Sequence, residues 1–190
     1  MIVRTYNPIE RGAPALWVHG HIGSNVRVQT FARDLRQYPE GDRPIDLFIE
    51  SDGGLCDVGM EVYGLLCSVR RPKRVTVLAA RSMAAVVAMA GDVIRIVSSG
   101  HFHLHRPYAV GPSIAAWASE NDLTADALRD IATGIDSIEH AHAEIILQRI
   151  GQQNRNLLSA LVGIGSTIPA ERAVELGLAD EIVSLPGAAV

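Results

Sequence analysis

The sequence predicts an α/β domain, and three observations carry that reading. Short apolar runs rich in β-branched residues alternate with stretches of helical periodicity through residues 15–104. Glycine-bearing junctions punctuate them at His19-Gly20, Asp52-Gly53-Gly54 and Ala90-Gly91. Residues 123–150 then form one long periodic stretch interrupted only by Gly134. With 48% hydrophobic residues in a chain of 190, there is enough apolar material for one real core. No linker, low-complexity tract or fixed-period repeat divides the chain, so residues 1–190 are expected to form a single domain.

The elements follow in order. Residues 15–20 read as a strand closed by a glycine turn. Residues 25–37 place Val26, Val28, Phe31, Ala32 and Leu35 on one helical face. Residues 45–50 form a second strand before the Asp-Gly-Gly turn, and residues 56–69 a helix with Val58, Met60, Val62, Leu65 and Leu66 inside. Residues 74–78 are a short β-branched strand, and residues 82–90 a helix of small apolar residues ending at Gly91. Residues 92–97 and 101–104 are two further strands, giving the strand–helix alternation of an α/β fold. In the long stretch, Leu128, Ile131, Ile135, Ile138, Ala141, Ile145 and Ile146 keep helical spacing. That helix either projects from the domain to pack on a neighbouring subunit or kinks at Gly134. Residues 169–176 form a last short helix capped by Gly177.

Composition excludes several classes of function. A net charge of -4 leaves no electrostatic footprint for nucleic acid. The basic run Arg70-Arg71-Pro72-Lys73-Arg74 reads as a solvated connecting turn. The most apolar stretch, residues 75–97, carries Arg81, Asp92 and Arg95 and is no membrane span. Asn7, Glu10 and Arg11 interrupt any signal-like opening, and Cys56 and Cys67 have no metal spacing and read as small buried side chains. A soluble, cytoplasmic protein without metal or cofactor is expected.

Three segments hold chemistry. Ser82 sits between a strand and a helix, where free N–H groups favour developing negative charge. It reads either as a nucleophile or as a plain helix N-cap. Gly53 and Gly54 allow a backbone pose that aims N–H donors at an oxyanion, or else make an ordinary strand-to-helix turn. His101, His103 and His105 alternate, so a strand puts them on one face. A zinc site wants three such imidazoles, but no acidic or cysteine ligand lies nearby in sequence. The preferred reading makes His105 a single general base, with the other two lining a polar cavity. His19, His21, His140 and His142 read as surface or interface residues. Lys73, the single lysine, lies at the far end of the strand before Ser82 and is badly placed to serve as its base. Together the segments suggest a serine hydrolase.

In order, these motifs resemble the proteolytic subunit of the Clp protease, the ClpP family of serine peptidases with the ClpP/crotonase fold. That family reads Ile-Asn-Ser-Pro-Gly-Gly, Ala-Ser-Met-Gly and Met-Ile-His-Gln-Pro, where this chain has Ile49 to Gly54, Arg81-Ser82-Met83-Ala84 and His103-Leu104-His105-Arg106-Pro107. The stretch from Ala170 to Ile182 is similar to the family's closing helix and Gly-Leu-x-Asp turn. The resemblance covers residues 15–182 and is closest in flavour to ClpP-like proteases of phage and prophage.

The resemblance implies repeated β-β-α units with a projecting long helix. It implies Ser82 as nucleophile, His105 as general base, and backbone N–H donors from Gly53, Gly54 and Met83. A homo-oligomeric ring, peptide or unfolded-protein substrates and an ATP-driven AAA+ unfoldase partner come with it, and no metal, nucleic acid or membrane.

Four departures stand out. The family's aspartate is expected near residues 161–163, yet no acidic residue lies between Glu144 and Glu171, which leaves Asn154 or a backbone carbonyl to hold the imidazole. Asp52 replaces a proline, and Arg81 replaces a small residue. The stretch ahead of residue 15 is short, so the axial loops that meet an unfoldase are expected to be absent, and the segment after His105 diverges. The rival readings are a silent ClpP-like structural subunit and a crotonase-type enzyme acting on acyl-CoA, which has no use for Ser82 and His105. Signal-peptide peptidase relatives want a lysine base.

Overall fold

A computed structural model describes residues 4–5, 14–109 and 124–184. The strands are β1 (Arg4–Thr5), β2 (Leu16–Ile22), β3 (Ile45–Gly54), β4 (Lys73–Arg81), β5 (Val93–Leu104), β6 (Ser166–Pro169) and β7 (Glu181–Ser184). The helices are α1 (Val28–Gln37), α2 (Cys56–Ser68), α3 (Met83–Ala88), α4 (Ala125–Ile150), α5 (Arg155–Ile164) and α6 (Ala170–Glu175). The sheet runs β1-β7-β5-β4-β3-β2, parallel throughout, and β6 pairs antiparallel with β5. Parallel neighbours need crossovers, and α1, α2 and α3 supply them between β2, β3, β4 and β5.

The α/β expectation holds, with instructive differences. The strands predicted at 92–97 and 101–104 are one strand, β5, that pairs with β4 in two runs on either side of a register shift. Similar shifts fall between His19 and His21 and between Ile49 and Glu50. Each of these strands therefore has a first and a second half, which is the sense in which the β-β-α repeat is present. β3 continues through Asp52 to Gly54, so the expected turn shrinks to Leu55 alone.

The core lies along β3, β4 and β5, where Leu47, Ile49, Val75, Val77, Ile94 and Ile96 are buried. Strands covered on both faces tolerate such runs of Val and Ile. All six residues of α3 are buried against this sheet, which explains its alanine and valine content. α4 runs without a break through Gly134. Ile146, Leu147 and Ile150 anchor its C-terminal end in the core, whereas residues 128–141 are mostly exposed. The expected start of this helix at residue 123, and the stretch after residue 109, lie outside the described residues.

The basic run is not a simple solvated turn. Lys73 is buried and pairs with Asp92 at 3.1 Å, while Arg74 reaches both oxygens of Asp46. Arg71 donates to the Pro39 carbonyl and lies over the Tyr38 ring. Cys67 is exposed rather than buried, and burial first, then the neighbouring Cys67, push the Tyr63 hydroxyl up to about 12. Among the described residues, no helix is long and apolar enough to cross a membrane.

Asp92 ties the start of β4 to the junction after α3, accepting from the Lys73 N–H at 2.7 Å. Burial raises its carboxyl, but the Lys73 hydrogen bonds and charge outweigh this and hold it below the ordinary 3.8. A depressed folded-state value stabilises above the unfolded value and is lost as pH falls through the folded one. Asp92→Asn is expected to cost about 1 kcal/mol at pH 7, since much of the carboxylate faces water. Urea melts at pH 7 and below pH 3.8 check this, and the variant should converge on wild type at the acidic end.

Candidate active site

β4 ends at Arg81 and α3 begins at Met83, so a single residue must turn the chain from strand to helix. That residue is Ser82, at φ 53° and ψ −126°, the one non-glycine residue with positive φ among the described residues. Such a conformation costs about 1–3 kcal/mol and persists only where its surroundings over-determine it. Part of that constraint is a hydrogen bond from the Ser82 N–H to the His103 carbonyl, 2.8 Å away on β5. The Ser82 hydroxyl makes no capping hydrogen bond, which removes the plain N-cap reading. Ser82 instead lines a pocket of about 440 Å³ between α3, the end of β5, α4 and α5.

His105 lines the same pocket, one residue past the end of β5. Its Nδ1 lies 2.6 Å from the Arg106 carbonyl oxygen. A carbonyl only accepts, so Nδ1 carries a proton, and in the neutral ring Nε2 is the nitrogen with the lone pair. The ring packs between His103 and Tyr108, at centroid distances of 5.7 and 5.5 Å. Among the described residues, no hydrogen bond joins Ser82 to His105.

The neighbouring histidines do not line the cavity, contrary to the sequence reading. His101 Nε2 accepts from Arg81 Nε at 3.0 Å, and His103 Nδ1 bonds Thr167 Oγ1 at 2.9 Å. Both imidazoles are held below the usual histidine range, first by burial, then by Arg81 for His101 and by His105 for His103. Among the described residues, no group of three or more His, Cys, Asp or Glu side chains is placed to hold a metal ion. His142, expected at the surface or an interface, is half-buried in the pocket wall, and burial alone lowers its pKa.

Gly53 abuts the Ser82 turn, and Gly54 beside it packs against β2. A Cβ at Gly53 would stand 2.6 Å from the Arg81 carbonyl oxygen and 2.7 Å from Ser82 Cβ. One at Gly54 would stand 2.1 Å from the Ile22 carbonyl oxygen. With φ of 88° and 144°, both positions demand glycine on conformation and on space. The Gly53 N–H is already committed to Ser51 Oγ at 3.1 Å. The Met83 N–H, at the first helical position of α3, has no intrahelical carbonyl to donate to.

Two features escaped the sequence reading. Asp136 and Glu139 line the pocket from α4, on one helical face with Ala143, Ile146 and Leu147, and Arg106 pairs with Glu139 at 3.4 Å. Their i, i+3, i+7 spacing with the buried positions was the available signal. Helix α5 was not predicted at all, although Leu157, Leu158, Leu161 and Val162 recur at helical spacing. Residues 161–163, where a carboxylate was sought, lie inside α5. Gly165, just past the end of α5, is close to His105: an added Cβ there would meet only His105 Cβ, at 3.9 Å. Asn154 does not reach the imidazole, because its Nδ2 donates to the Ile150 carbonyl at the end of α4.

Ser82, strained at the start of a buried helix, and His105, just past the end of β5, line one pocket of this α/β fold. The sequence model of the Clp protease family matches residues 34–185. The chain belongs to the Clp protease family, a family of peptidases.

The strain at Ser82 is measurable without activity. Ser82→Gly is expected to be more stable than Ser82→Ala by about 1–2 kcal/mol, because glycine alone adopts this conformation freely. Urea midpoints of the two variants check it, and equal midpoints would show that the turn is unstrained.

Proposed function

We propose that the chain is a serine endopeptidase in which Ser82 and His105 form the reacting pair. The observation that carries this reading is the strained Ser82, its hydroxyl uncapped, sharing a pocket with a His105 ring whose Nδ1–H is already fixed. Ser82 Oγ attacks the peptide carbonyl while His105 Nε2 takes its proton. The N–H groups of Gly54 and Met83 receive the oxyanion, and Gly53 joins them only if it releases Ser51 Oγ. His105 then protonates the leaving amine, and water, deprotonated at the same nitrogen, hydrolyses the acyl-enzyme. No step calls for a metal or cofactor.

In this chain the Arg106 carbonyl takes the place of the orienting carboxylate. It fixes the tautomer but offers only a dipole to the imidazolium, whereas losing the carboxylate of a triad costs on the order of 10⁴ in turnover. Activity is therefore slow in the resting arrangement. The exposed Leu128 and Ile138 on α4 support assembly into a homo-oligomeric ring, with peptides or unfolded chains, delivered by an ATP-driven unfoldase, as substrates. The free thiols of Cys56 and Cys67 suit a cytoplasmic setting. A silent structural subunit is the second reading, favoured by the missing Ser82–His105 hydrogen bond.

A fluorophosphonate probe separates the two. Covalent mass at Ser82, lost in Ser82→Ala and strongly reduced in His105→Ala, is expected, and no labelling of the folded, assembled protein would establish the silent subunit. Gly165→Asp should raise the labelling rate by about tenfold, since its Cβ would stand 3.9 Å from His105 Cβ and aspartate is among the few side chains that enter the left-handed region, at some cost in strain.

A further inference from the structure

Asp52 and Arg81 each sit immediately before a segment that the proposed chemistry uses: Asp52 before Gly53 and Gly54, Arg81 before Ser82 and Met83. They lie at the ends of adjacent strands, one residue beyond the paired positions Ser51 and Ala80. Arg81 Nη1 meets Asp52 Oδ1 at 2.5 Å, and Arg81 Nε donates to His101 Nε2 at 3.0 Å. A side-chain chain, Asp52–Arg81–His101, thus crosses the ends of β3, β4 and β5. Beneath it the backbones abut: a Cβ on Gly53 would stand 3.0 Å from Met83 N as well as against Arg81 and Ser82.

We propose that the Asp52–Arg81 ion pair is a positioning element that clamps the Gly53–Gly54 segment against the Ser82–Met83 turn, setting the spacing of the two oxyanion donors. The inference rests on the peptidase reading for its catalytic consequence and on geometry for its structural one. It explains two departures from the family pattern with one contact. Asp52 alone would place a negative charge beside the developing oxyanion, and Arg81 neutralises it. Arg81 alone would crowd the nucleophile with a long mobile cation, and Asp52 and His101 draw its guanidinium away along the strand ends. Arg81 is 44% and Asp52 73% exposed, so the pair contributes little to global stability. Its effect is local, on a residue whose conformation must be held by its neighbours.

The test uses the full-length protein with Arg81→Ala, Asp52→Ala and the reversed pair Asp52→Arg/Arg81→Asp. Hydrogen exchange read by mass spectrometry reports on the clamp whether or not the protein turns over. Peptides spanning residues 52–55 and 82–85 should exchange several-fold faster in each single variant and return toward wild type in the reversed pair, with Tm unchanged within about 2 °C. Peptide hydrolysis in the same variants should show kcat reduced about tenfold with KM within twofold, again partly restored by reversal.

Altered exchange without any wild-type hydrolysis would keep the clamp and discard the peptidase. Hydrolysis with exchange and kcat unchanged in the single variants would discard the clamp and keep the peptidase. A loss of Tm matching the loss of kcat would also overturn it, by showing a general folding role.

Discussion

Between the end of β3 and the beginning of α3 there is no room for a side chain, and the rest of the site depends on that contact. The Gly53 backbone touches Arg81, Ser82 and Met83 at distances that exclude even a methyl group. This closeness requires β3 and β4 to stay paired beyond their register shift, as far as Ser51 beside Ala80. It also requires α3 to be built from small residues, because the helix is buried at the same level as the strand ends it meets. Ser51 adds a lock from below: its hydroxyl donates to the Gly20 carbonyl at 2.6 Å and accepts from the Gly53 N–H. The positive φ of Ser82 is the price of turning from strand to helix in one residue within this space.

The proposed base is held differently from the proposed nucleophile. Ser82 is fixed by the sheet, through the His103 carbonyl, whereas His105 lies just beyond the sheet and is fixed by the next residue's carbonyl. Arg106 couples that carbonyl to the long helix, since its side chain reaches Glu139 on α4. The orientation of the imidazole is therefore linked to where α4 sits. Any packing of the mostly exposed residues 128–141 against another subunit would act on His105 through Arg106 and Glu139. In the proposed peptidase, such packing would have a physical route to the reacting pair.

Much of the fold was legible because it rests on local pattern. The strands around Leu47, Val75 and Ile94 are β-branched runs buried on both faces, and α4 announces itself by periodicity over its whole length. Gly53 and Gly54 were legible for a similar reason, since only glycine fits those conformations. The site was legible as a set of residues and much less so as a geometry. The pairing of Asp52 with Arg81 depends on register between strands, and the uncapped hydroxyl of Ser82 and the commitment of the Gly53 N–H depend on local backbone angles, none of which sequence spacing encodes. Asp136 and Glu139 were missed because polar residues on a helix read as solvated until something packs over them. Helix α5 was missed because Gly163 and Gly165 bracket its end and obscured the apolar spacing before them.

A crystal structure of the protein with a peptide boronate tests the central claim most directly. The expected result is boron bonded to Ser82 Oγ, with one boronate oxygen within hydrogen-bond reach of both Gly54 N and Met83 N. His105 Nε2 should contact the other oxygen while its Nδ1 still donates to the Arg106 carbonyl. A folded protein whose pocket holds the peptide non-covalently, with Ser82 Oγ unreacted and turned away from His105, would contradict the account.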